Sequence, residues 1–323
     1  MPYVNMRKKI ILEGITAFLF TGILFLSGCA FNQLVKNTGS STKIKVAATI
    51  YPLYDIVKTV GGDKIDPILI LPPGSSPHIY EASPTQIKEM QNIKLLFVIG
   101  AGVDIWGENI AKSVKNAEVF DLDQYITLQP FEHQEYKHEE ETLEEDDEKD
   151  EHHHGGMDPH YWLSPDNAKI MAKQVADKLA LLDPTNKSYY ESQAQNFVSA
   201  LSVKDLEWKN KINRLTKKDL IVFHDSWGYF ASHFGLKIVA TFEPFPGKSP
   251  SAQYLINLQK EAKEHKITAL FVEPQLSKEA VTTLAKDLKV KVSILDPLGG
   301  IDKRDSYINM IDYNINNIYE ALR

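Results

Sequence analysis

Two hydrophobic periodicities alternate along the chain. Short runs rich in β-branched and aromatic residues predict buried strands, and the stretches that follow them carry apolar residues at helical spacing. In the first half of the chain, strands are predicted over 43–50, 67–71, 94–99 and 118–122, with helices over 51–60, 84–91 and 104–115. This strand–helix alternation predicts a parallel sheet covered by helices.

The same alternation returns in the second half of the chain. There, strands are predicted over 219–223, 237–242, 267–272 and 291–295. A chain of 323 residues is long enough to bury two cores of ordinary size. We therefore predict an α/β protein with two lobes, each a parallel-sheet α/β sandwich.

A long helical region lies between the predicted lobes. Ser164 followed by Pro165 predicts a helix start, because serine caps helices and proline suits the first helical position. Asp183-Pro184 restarts the pattern, and a second helix to about residue 215 would extend roughly 45 Å. A rigid connector is one interpretation, and two separate helices of one lobe is the other. The predicted domains are an N-terminal lobe over 43–183, a connecting helix over 184–215 and a C-terminal lobe over 216–323.

The amino terminus has the pattern of a targeting segment. A basic start at 7–9 precedes an apolar run at 15–26, which is too short and too early for a permanent membrane span. The run ends in LSGC at 26–29, which resembles the bacterial lipobox, and Cys29 is the only cysteine, so no intramolecular disulfide can form. We therefore predict a signal peptide over 1–28, a lipid anchor on Cys29 and a tether over 29–42.

The acidic charge of the chain is concentrated in one segment. Residues 132–151 contain twelve Asp and Glu against two Lys, and the rest is nearly neutral, so no basic face for nucleic acid is present. Without apolar periodicity, 132–156 is predicted to be a disordered loop. Its histidines, interleaved with carboxylates, predict weak metal binding, although a solvated surface is the alternative. These histidines are His133, His138, His152, His153 and His154.

Three other histidines occupy boundaries between predicted elements. His78 follows a strand, His160 precedes a helix and His224 ends a strand. Ligands of parallel α/β sheets bind beyond the carboxyl ends of strands, and Asp296 ends a strand in the same way. Imidazole and carboxylate are zinc ligands, so these four residues are candidates for a metal site.

Several segments carry a resemblance to a known family. They are 77–84 (PHIYEASP), 158–168 (DPHYWLSPDNA), 223–230 (FHDSWGYF), 271–275 (FVEPQ) and 295–299 (LDPLG). In this order they resemble the zinc- and manganese-type solute-binding lipoproteins of ABC importers, bacterial solute-binding protein family 9. The resemblance implies two α/β lobes joined by a long rigid helix, an extracytoplasmic position, and a permease and its ATPase as partners. It maps the family's ligands onto His78, His160, His224 and Asp296.

The third ligand position bears on the metal. The resemblance implies that manganese-type members of the family have a glutamate at this position and that zinc-type members have a histidine. This chain has His224 there and so resembles the zinc type. Three imidazoles and one carboxylate suit tetrahedral Zn²⁺, while Mn²⁺ prefers more oxygen. Zinc-type members also carry an acidic, histidine-rich insertion where 132–154 lies, but the cysteine pair of some members is absent. Asp158 and Asp225 are candidates to orient the neighbouring imidazoles, and His233 and His265 are expected on helix surfaces.

Other functions are alternatives to that of a monomeric zinc-binding component of an importer. A manganese or iron carrier would need more oxygen ligands than His224 suggests. A zinc hydrolase needs an open coordination position and a general base, but no His-Glu-x-x-His helix is present. Glu273 could be proposed as that base, yet Glu-Pro-Gln more plainly predicts a turn. Nothing in the sequence encodes the receptor-binding patch of an adhesin.

Overall fold

The computed structural model describes residues 43–114, 117–131, 156–243, 250–275 and 279–323. The predicted signal peptide, the lipid anchor on Cys29, the tether and the acidic segment 132–155 lie outside these residues. Lys43–Arg323 form one compact structural unit. Among the described helices, none combines the length and the apolar composition that a membrane span requires.

The first half of the unit contains a four-stranded parallel sheet in the order β2-β1-β3-β4. Its strands are β1 (Ile44–Ala48), β2 (Ile65–Leu69), β3 (Leu95–Val98) and β4 (Glu118–Asp121). Its helices are α1 (Tyr51–Gly61), α2 (Pro84–Glu89) and α3 (Ile105–Ser113). All four residues of β3 are buried, because this strand is paired on both sides and covered on both faces.

The second half contains another four-stranded parallel sheet, in the order β10-β9-β7-β8. Its strands are β7 (Asp219–Val222), β8 (Lys237–Thr241), β9 (Ala269–Val272) and β10 (Lys291–Ile294). Its helices are α6 (Gly228–Phe234), α7 (Ala252–Glu264), α8 (Glu279–Leu288) and α9 (Tyr307–Leu322). A short antiparallel pair, β5 (Gln129–Pro130) with β6 (Met157–Asp158), precedes the central helices. The predicted α/β class with two parallel sheets is confirmed.

Two helices connect the sheets, α4 (Pro165–Leu182) and α5 (Lys187–Ile212). Ser164 and Pro165 occupy the predicted cap and first helical positions. The 26 residues of α5 extend about 39 Å, and α5 packs against α1 of the first half and α9 of the second. A helix that connects two lobes must contact both of them, and α5 does. The domain boundaries at 183, 184, 215 and 216 stay a prediction.

The sequence misplaced some element ends. The second strand begins at Ile65 rather than residue 67, because the buried Ile65 continues the pairing with β1. Pro67 is accommodated inside this strand because β2 lies at the edge of the sheet, where one side needs no backbone donor. Helix α2 ends at Glu89, and Asn92 adopts a left-handed φ of 75° that no helix accepts.

Candidate metal centre

Three imidazoles from distant parts of the chain converge in one pocket. One ring nitrogen from each of His78, His160 and His224 lies within 4.8 Å of the others. The ring centroids are 5.3 Å apart for His78 and His160, 5.4 Å for His78 and His224, and 5.3 Å for His160 and His224. This nearly equilateral arrangement can place three nitrogens around one ion.

Each histidine is carried by a short segment at the end of a regular element. His78 lies in the single helical turn Pro77–Ile79, which follows β2. The carbonyl of Pro77 accepts a hydrogen bond of 2.9 Å from Nε1 of Trp106, and Gly74 takes the positive φ of 85° that turns the loop. These contacts hold the turn that carries His78 against α3.

His160 follows β6 directly, and its ring is buried at 2% exposure. Asp158 fixes this ring: its Oδ1 lies 2.7 Å from Nδ1 of His160 and accepts a 2.8 Å hydrogen bond from the backbone N–H of the same histidine. When the ring proton of the neutral imidazole is on Nδ1, Nε2 of His160 carries the lone pair that can bind a metal. This Nε2 lies 3.3 Å from Nε2 of His78. The contact between Asp158 and His160 is the one that the sequence analysis expected.

His224 follows β7 and is buried at 4% exposure. Its Nδ1 lies 2.8 Å from Oε1 of Glu273, and this oxygen accepts hydrogen bonds from Nε1 of Trp227 at 3.2 Å and from Oγ of Ser226 at 3.4 Å. Burial lowers the pKa of His224, but the Glu273 carboxylate, with smaller contributions from Asp225 and other acids, outweighs burial and leaves the pKa raised.

The Glu-Pro-Gln sequence predicts a turn around Glu273 but no interaction of its side chain. The carboxylate against Nδ1 of His224 is nevertheless that of Glu273, while Asp225 contributes its charge to the raised pKa. The strand-end rule that selected His224 also applies to Glu273, which follows β9, the strand beside β7. That rule could have found this residue.

Asp296 follows β10 and is completely buried; protein groups donate hydrogen bonds to Oδ1, whereas Oδ2 accepts none among the described residues. Oδ1 accepts hydrogen bonds from Nε2 of Gln275 at 2.8 Å and from the backbone N–H groups of Leu298 and Gly299, each at 3.0 Å. Oδ2 lies 2.9 Å from Nη1 of Arg304. Asp296 does not belong to the three-histidine cluster found among the described residues, and its role as a ligand stays a prediction.

The pocket wall joins the two halves of the protein. Nε1 of Trp162, whose ring lies 5.2 Å from that of His160, donates a 2.8 Å hydrogen bond to the carbonyl of Pro297. The hydroxyl of Tyr307 donates to the carbonyl of Trp162 at 2.7 Å. Trp162, Pro297, Gln275 and Leu298 line the cavity beside the histidines, so the site is sheltered by groups from both halves.

The two remaining described histidines contact carboxylates away from the cluster. Nε2 of His233 lies 2.6 Å from Oδ1 of Asp205, and Nδ1 lies 3.3 Å from Oδ2 of Asp166. The expectation that His233 lies on a helix surface is wrong, since its side chain is 6% exposed where α6 meets α4 and α5. His265 caps α7, and its Nδ1 lies 2.7 Å from Oδ2 of Asp219.

Two parallel sheets and a cluster of three imidazoles, two of them buried, are the features of a protein that can hold a transition-metal ion. The sequence model of the ZnuA family, described as zinc-uptake complex component A, periplasmic, matches residues 46–321. The chain therefore belongs to this family and is the substrate-binding component of a metal ABC transporter.

Relatives with different cargo metals in their names are similar to this chain. The high-affinity zinc uptake system protein ZnuA of Bacillus subtilis is 29% identical over 312 residues, covering 94% of this chain and 96% of the relative. The manganese ABC transporter substrate-binding lipoprotein PsaA of Streptococcus mitis is 30% identical over 311 residues, with the same coverage of 94% and 96%. A crystal structure of ZnuA aligns with a TM-score of 0.74 and 29% identity, covering 87% of this chain and 100% of that one.

Proposed function

We propose that this protein captures Zn²⁺ outside the cytoplasm and delivers it to a membrane permease driven by an ATPase. The observation that carries the proposal is the cluster of His78, His160 and His224, whose nitrogens converge within 4.8 Å. Relatives are named for zinc and for manganese, so the choice of metal rests on the donor atoms rather than on the comparisons.

The geometry of the donors suits zinc. Two Zn–N bonds of about 2.0–2.1 Å at a tetrahedral angle separate their nitrogens by roughly 3.3–3.4 Å. The Nε2 atoms of His78 and His160 are 3.3 Å apart. Imidazole is a favoured zinc ligand, whereas Mn²⁺ prefers carboxylate, carbonyl and water oxygens. A cluster of three nitrogen donors therefore supports zinc over manganese.

Two buried carboxylates prepare the imidazoles for the ion. Asp158 and Glu273 each contact an Nδ1 atom, of His160 and of His224 respectively. Such contacts fix the tautomer and the ring orientation and make the opposite nitrogen a better donor. Their negative charges also offset part of the cost of placing a divalent cation in a buried pocket.

The position of Glu273 argues against the alternative of a zinc hydrolase. A general base must reach the water that the metal activates. Glu273 instead lies against Nδ1 of His224, on the opposite side of the ring from the Nε2 that would face the metal, and it accepts from Trp227 and Ser226. We therefore propose transport without catalysis.

Two further segments bear on the proposed function, namely the region that begins at Cys29 and the histidine-rich segment. We propose that Cys29 carries lipid, which relatives named as lipoproteins, such as PsaA, support. We also propose that 29–42 tethers a monomeric metal-binding unit. The histidines between residues 132 and 154, which lie outside the described residues, are proposed to bind additional metal weakly.

Metal competition tests the proposal. The purified full chain, stripped with a chelator and dialysed against equal free concentrations of Zn²⁺ and Mn²⁺, should retain about one tightly held zinc per chain, measured by mass spectrometry of the metal content. His224→Ala should lose this ion, and His265→Ala should keep it, because His265 is paired with Asp219 at the end of α7. Retention of manganese in preference to zinc would contradict the proposal.

A further inference from the structure

The amino ends of the second parallel sheet carry a row of lysines. Because neighbouring strands of a parallel sheet begin at the same edge, the residues at the starts of β7, β8, β9 and β10 lie side by side. In register, Lys291 pairs with Ala269 of β9. Lys237 pairs with Asp219, the first residue of β7. We call this row the basic edge, and it consists of Lys217, Lys218, Lys237, Lys266, Lys289 and Lys291.

The carboxylates near the basic edge are occupied by other partners. Five of the six lysines are exposed and the sixth is half-buried, and none forms an ion pair with a carboxylate of the described residues. Oδ2 of Asp219 lies 2.7 Å from Nδ1 of His265, and Glu261 lies against Nε2 of the same ring. Glu264 pairs with Lys260. The row therefore presents charges of one sign to its surroundings.

Two lysines of the basic edge occupy backbone positions that suit glycine. Lys266 follows α7 with a φ of 49°, and Lys289 follows α8 with a φ of 57°. Each donates its N–H to the carbonyl three residues earlier at 3.2 Å, which closes the helix. Glycine adopts this left-handed conformation without strain. The backbone conformation therefore gives no reason for a lysine at either position, whereas a positively charged surface does.

The amino ends of the first sheet do not form such a row. Among the described residues there, Lys64 lies beside Asp63, and Lys178 pairs with Glu118 at the start of β4. The nearly neutral charge outside 132–151 predicted no basic face. A total charge does not show where the charges lie, and the fold gathers lysines without carboxylate partners at one edge of one sheet.

We propose that the basic edge docks on the anionic headgroups of the membrane that holds the lipid anchor. The inference rests on the proposed anchor at Cys29 and not on the identity of the metal. Each lysine near an anionic bilayer strengthens binding about fivefold. When extended, the segment 29–42 can reach roughly 45–50 Å, which exceeds the length of about 39 Å of α5. A tether of this reach allows the basic edge to meet the bilayer.

This docking leaves the metal pocket facing away from the bilayer. His224 follows the carboxyl end of β7, whereas Lys217 precedes its amino end. The pocket and the basic edge therefore lie at opposite ends of the second sheet. A chain docked through the basic edge presents its histidines to arriving metal, and it must leave the bilayer before the pocket can face a permease.

Lysine footprinting on vesicles tests the proposal. The full lipidated chain is reconstituted into vesicles of phosphatidylcholine, with or without phosphatidylglycerol. A membrane-impermeant amine reagent then labels the lysines, and peptide mass spectrometry measures each rate. With phosphatidylglycerol, labelling of Lys217, Lys237 and Lys291 should slow about fivefold or more, whereas the exposed Lys173 and Lys187 should not change. Salt at about 1 M, where the Debye length is about 3 Å, should restore labelling.

Glycine substitutions provide a variant that suits the fold. Lys266→Gly and Lys289→Gly remove two charges where the backbone is left-handed, and Lys237→Gln with Lys291→Gln removes two more. In this variant, labelling of Lys217 should become independent of phosphatidylglycerol. A matched control loses four exposed lysines of the first half and of α4 instead, each replaced by glutamine, and should keep the footprint. These are Lys88, Lys94, Lys112 and Lys173.

Three footprints would overturn the inference. Equal protection in both kinds of vesicle would mean that part of this chain, rather than lipid, covers the basic edge. Absence of protection in both would show that the edge stays in water. An unchanged footprint in the glycine variant, together with a lower urea midpoint, would assign these lysines to the helix ends alone.

The anchor and the metal site have separate readouts. Flotation with phosphatidylcholine vesicles reports the anchor, and a chain that does not float would contradict the inference together with the anchor. Retention of zinc by His224→Ala would contradict the proposed function and leave the footprint unaffected. Chelator competition should give the same zinc affinity for the glycine variant and the wild-type chain, because the basic edge contributes no ligand.

Discussion

Nε2 of His160 lies 3.3 Å from Nε2 of His78, although 82 positions separate the two residues in the chain. No local element enforces this approach, because His78 follows β2 and His160 follows the small hairpin strand β6. The parallel sheet and its flanking loops bring the two together, and two facing imidazole nitrogens gain most when a shared cation lies between them.

The three clustered histidines should differ sharply from the paired ones. His160→Ala and His224→Ala should each weaken zinc binding by more than the roughly 10–100-fold expected for loss of a supporting residue, because each removes a donor atom. His265→Ala should leave affinity unchanged. His233→Ala should lower the free energy of unfolding by removing the 2.6 Å contact to the buried Asp205, yet leave zinc affinity unchanged. Chelator competition and chemical denaturation measure the two quantities, and equal losses of affinity in all four variants would contradict the site.

The carboxylates behind the imidazoles should have intermediate effects. Glu273→Gln and Asp158→Asn keep the shape of the side chains but remove the charge that orients His224 and His160, so zinc affinity should fall roughly 10–100-fold. Asp225→Asn should cost less than Glu273→Gln, because the 2.8 Å contact to Nδ1 of His224 belongs to Glu273. Titration of the three variants under one buffer condition tests the order, and a greater loss in Asp225→Asn would reverse our assignment.

Asp104 should make the stability of the metal-free protein depend on pH. Burial raises the pKa of Asp104 from 3.8 to about 6, against the opposing effect of hydrogen bonds from Thr49, Ile99 and Gly100. Folding therefore favours the protonated form, so this contribution is fully present below the unfolded pKa of 3.8 and is lost as pH rises through about 6. Denaturation between these pH values, in the presence of a chelator, should show this decline.

Asp104→Asn provides the comparison for that experiment. The variant cannot ionise at this position, so the difference in unfolding free energy between wild type and variant should change between pH 4 and pH 6 and level off above about pH 7. A difference that stays constant across this range would show that Asp104 is ionised with its ordinary pKa in the folded protein.

Deletion of residues 132–154 should leave one tight zinc per chain, because His78, His160 and His224 all lie elsewhere. It should remove weaker additional binding. Replacement of its five histidines by asparagine, with all carboxylates kept, separates the contribution of imidazole from that of charge. Calorimetry on the three proteins measures the stoichiometry of each class of site. Loss of the tight site on deletion would assign a ligand to the deleted segment.

The sequence predicted the parts of this molecule that follow from local pattern. The strand ends locate His224 and Asp296, and the helix start at Ser164-Pro165 lies where expected, because burial and capping leave direct traces in the order of residues. The environment of Asp296 could not be predicted in this way. Arg304 reaches it from the loop between β10 and α9, and no periodicity shows which way an isolated arginine in a loop points. His233 was misplaced for the same reason, since its partners Asp166 and Asp205 lie on other helices.

The three imidazoles are unequally buried. We expect this difference to affect the affinity for the ion and the rate of its exchange through different residues. His160 and His224 form a fixed floor, each ring anchored by a carboxylate, whereas His78 is half-buried on a single turn next to the exposed Ile79. We expect an arriving ion to contact the more exposed His78 before it reaches the two buried rings, and a departing ion to leave those two rings first. We therefore expect the two carboxylate-anchored rings to supply most of the binding strength, and the half-buried His78 to have the larger effect on the exchange rate of the ion.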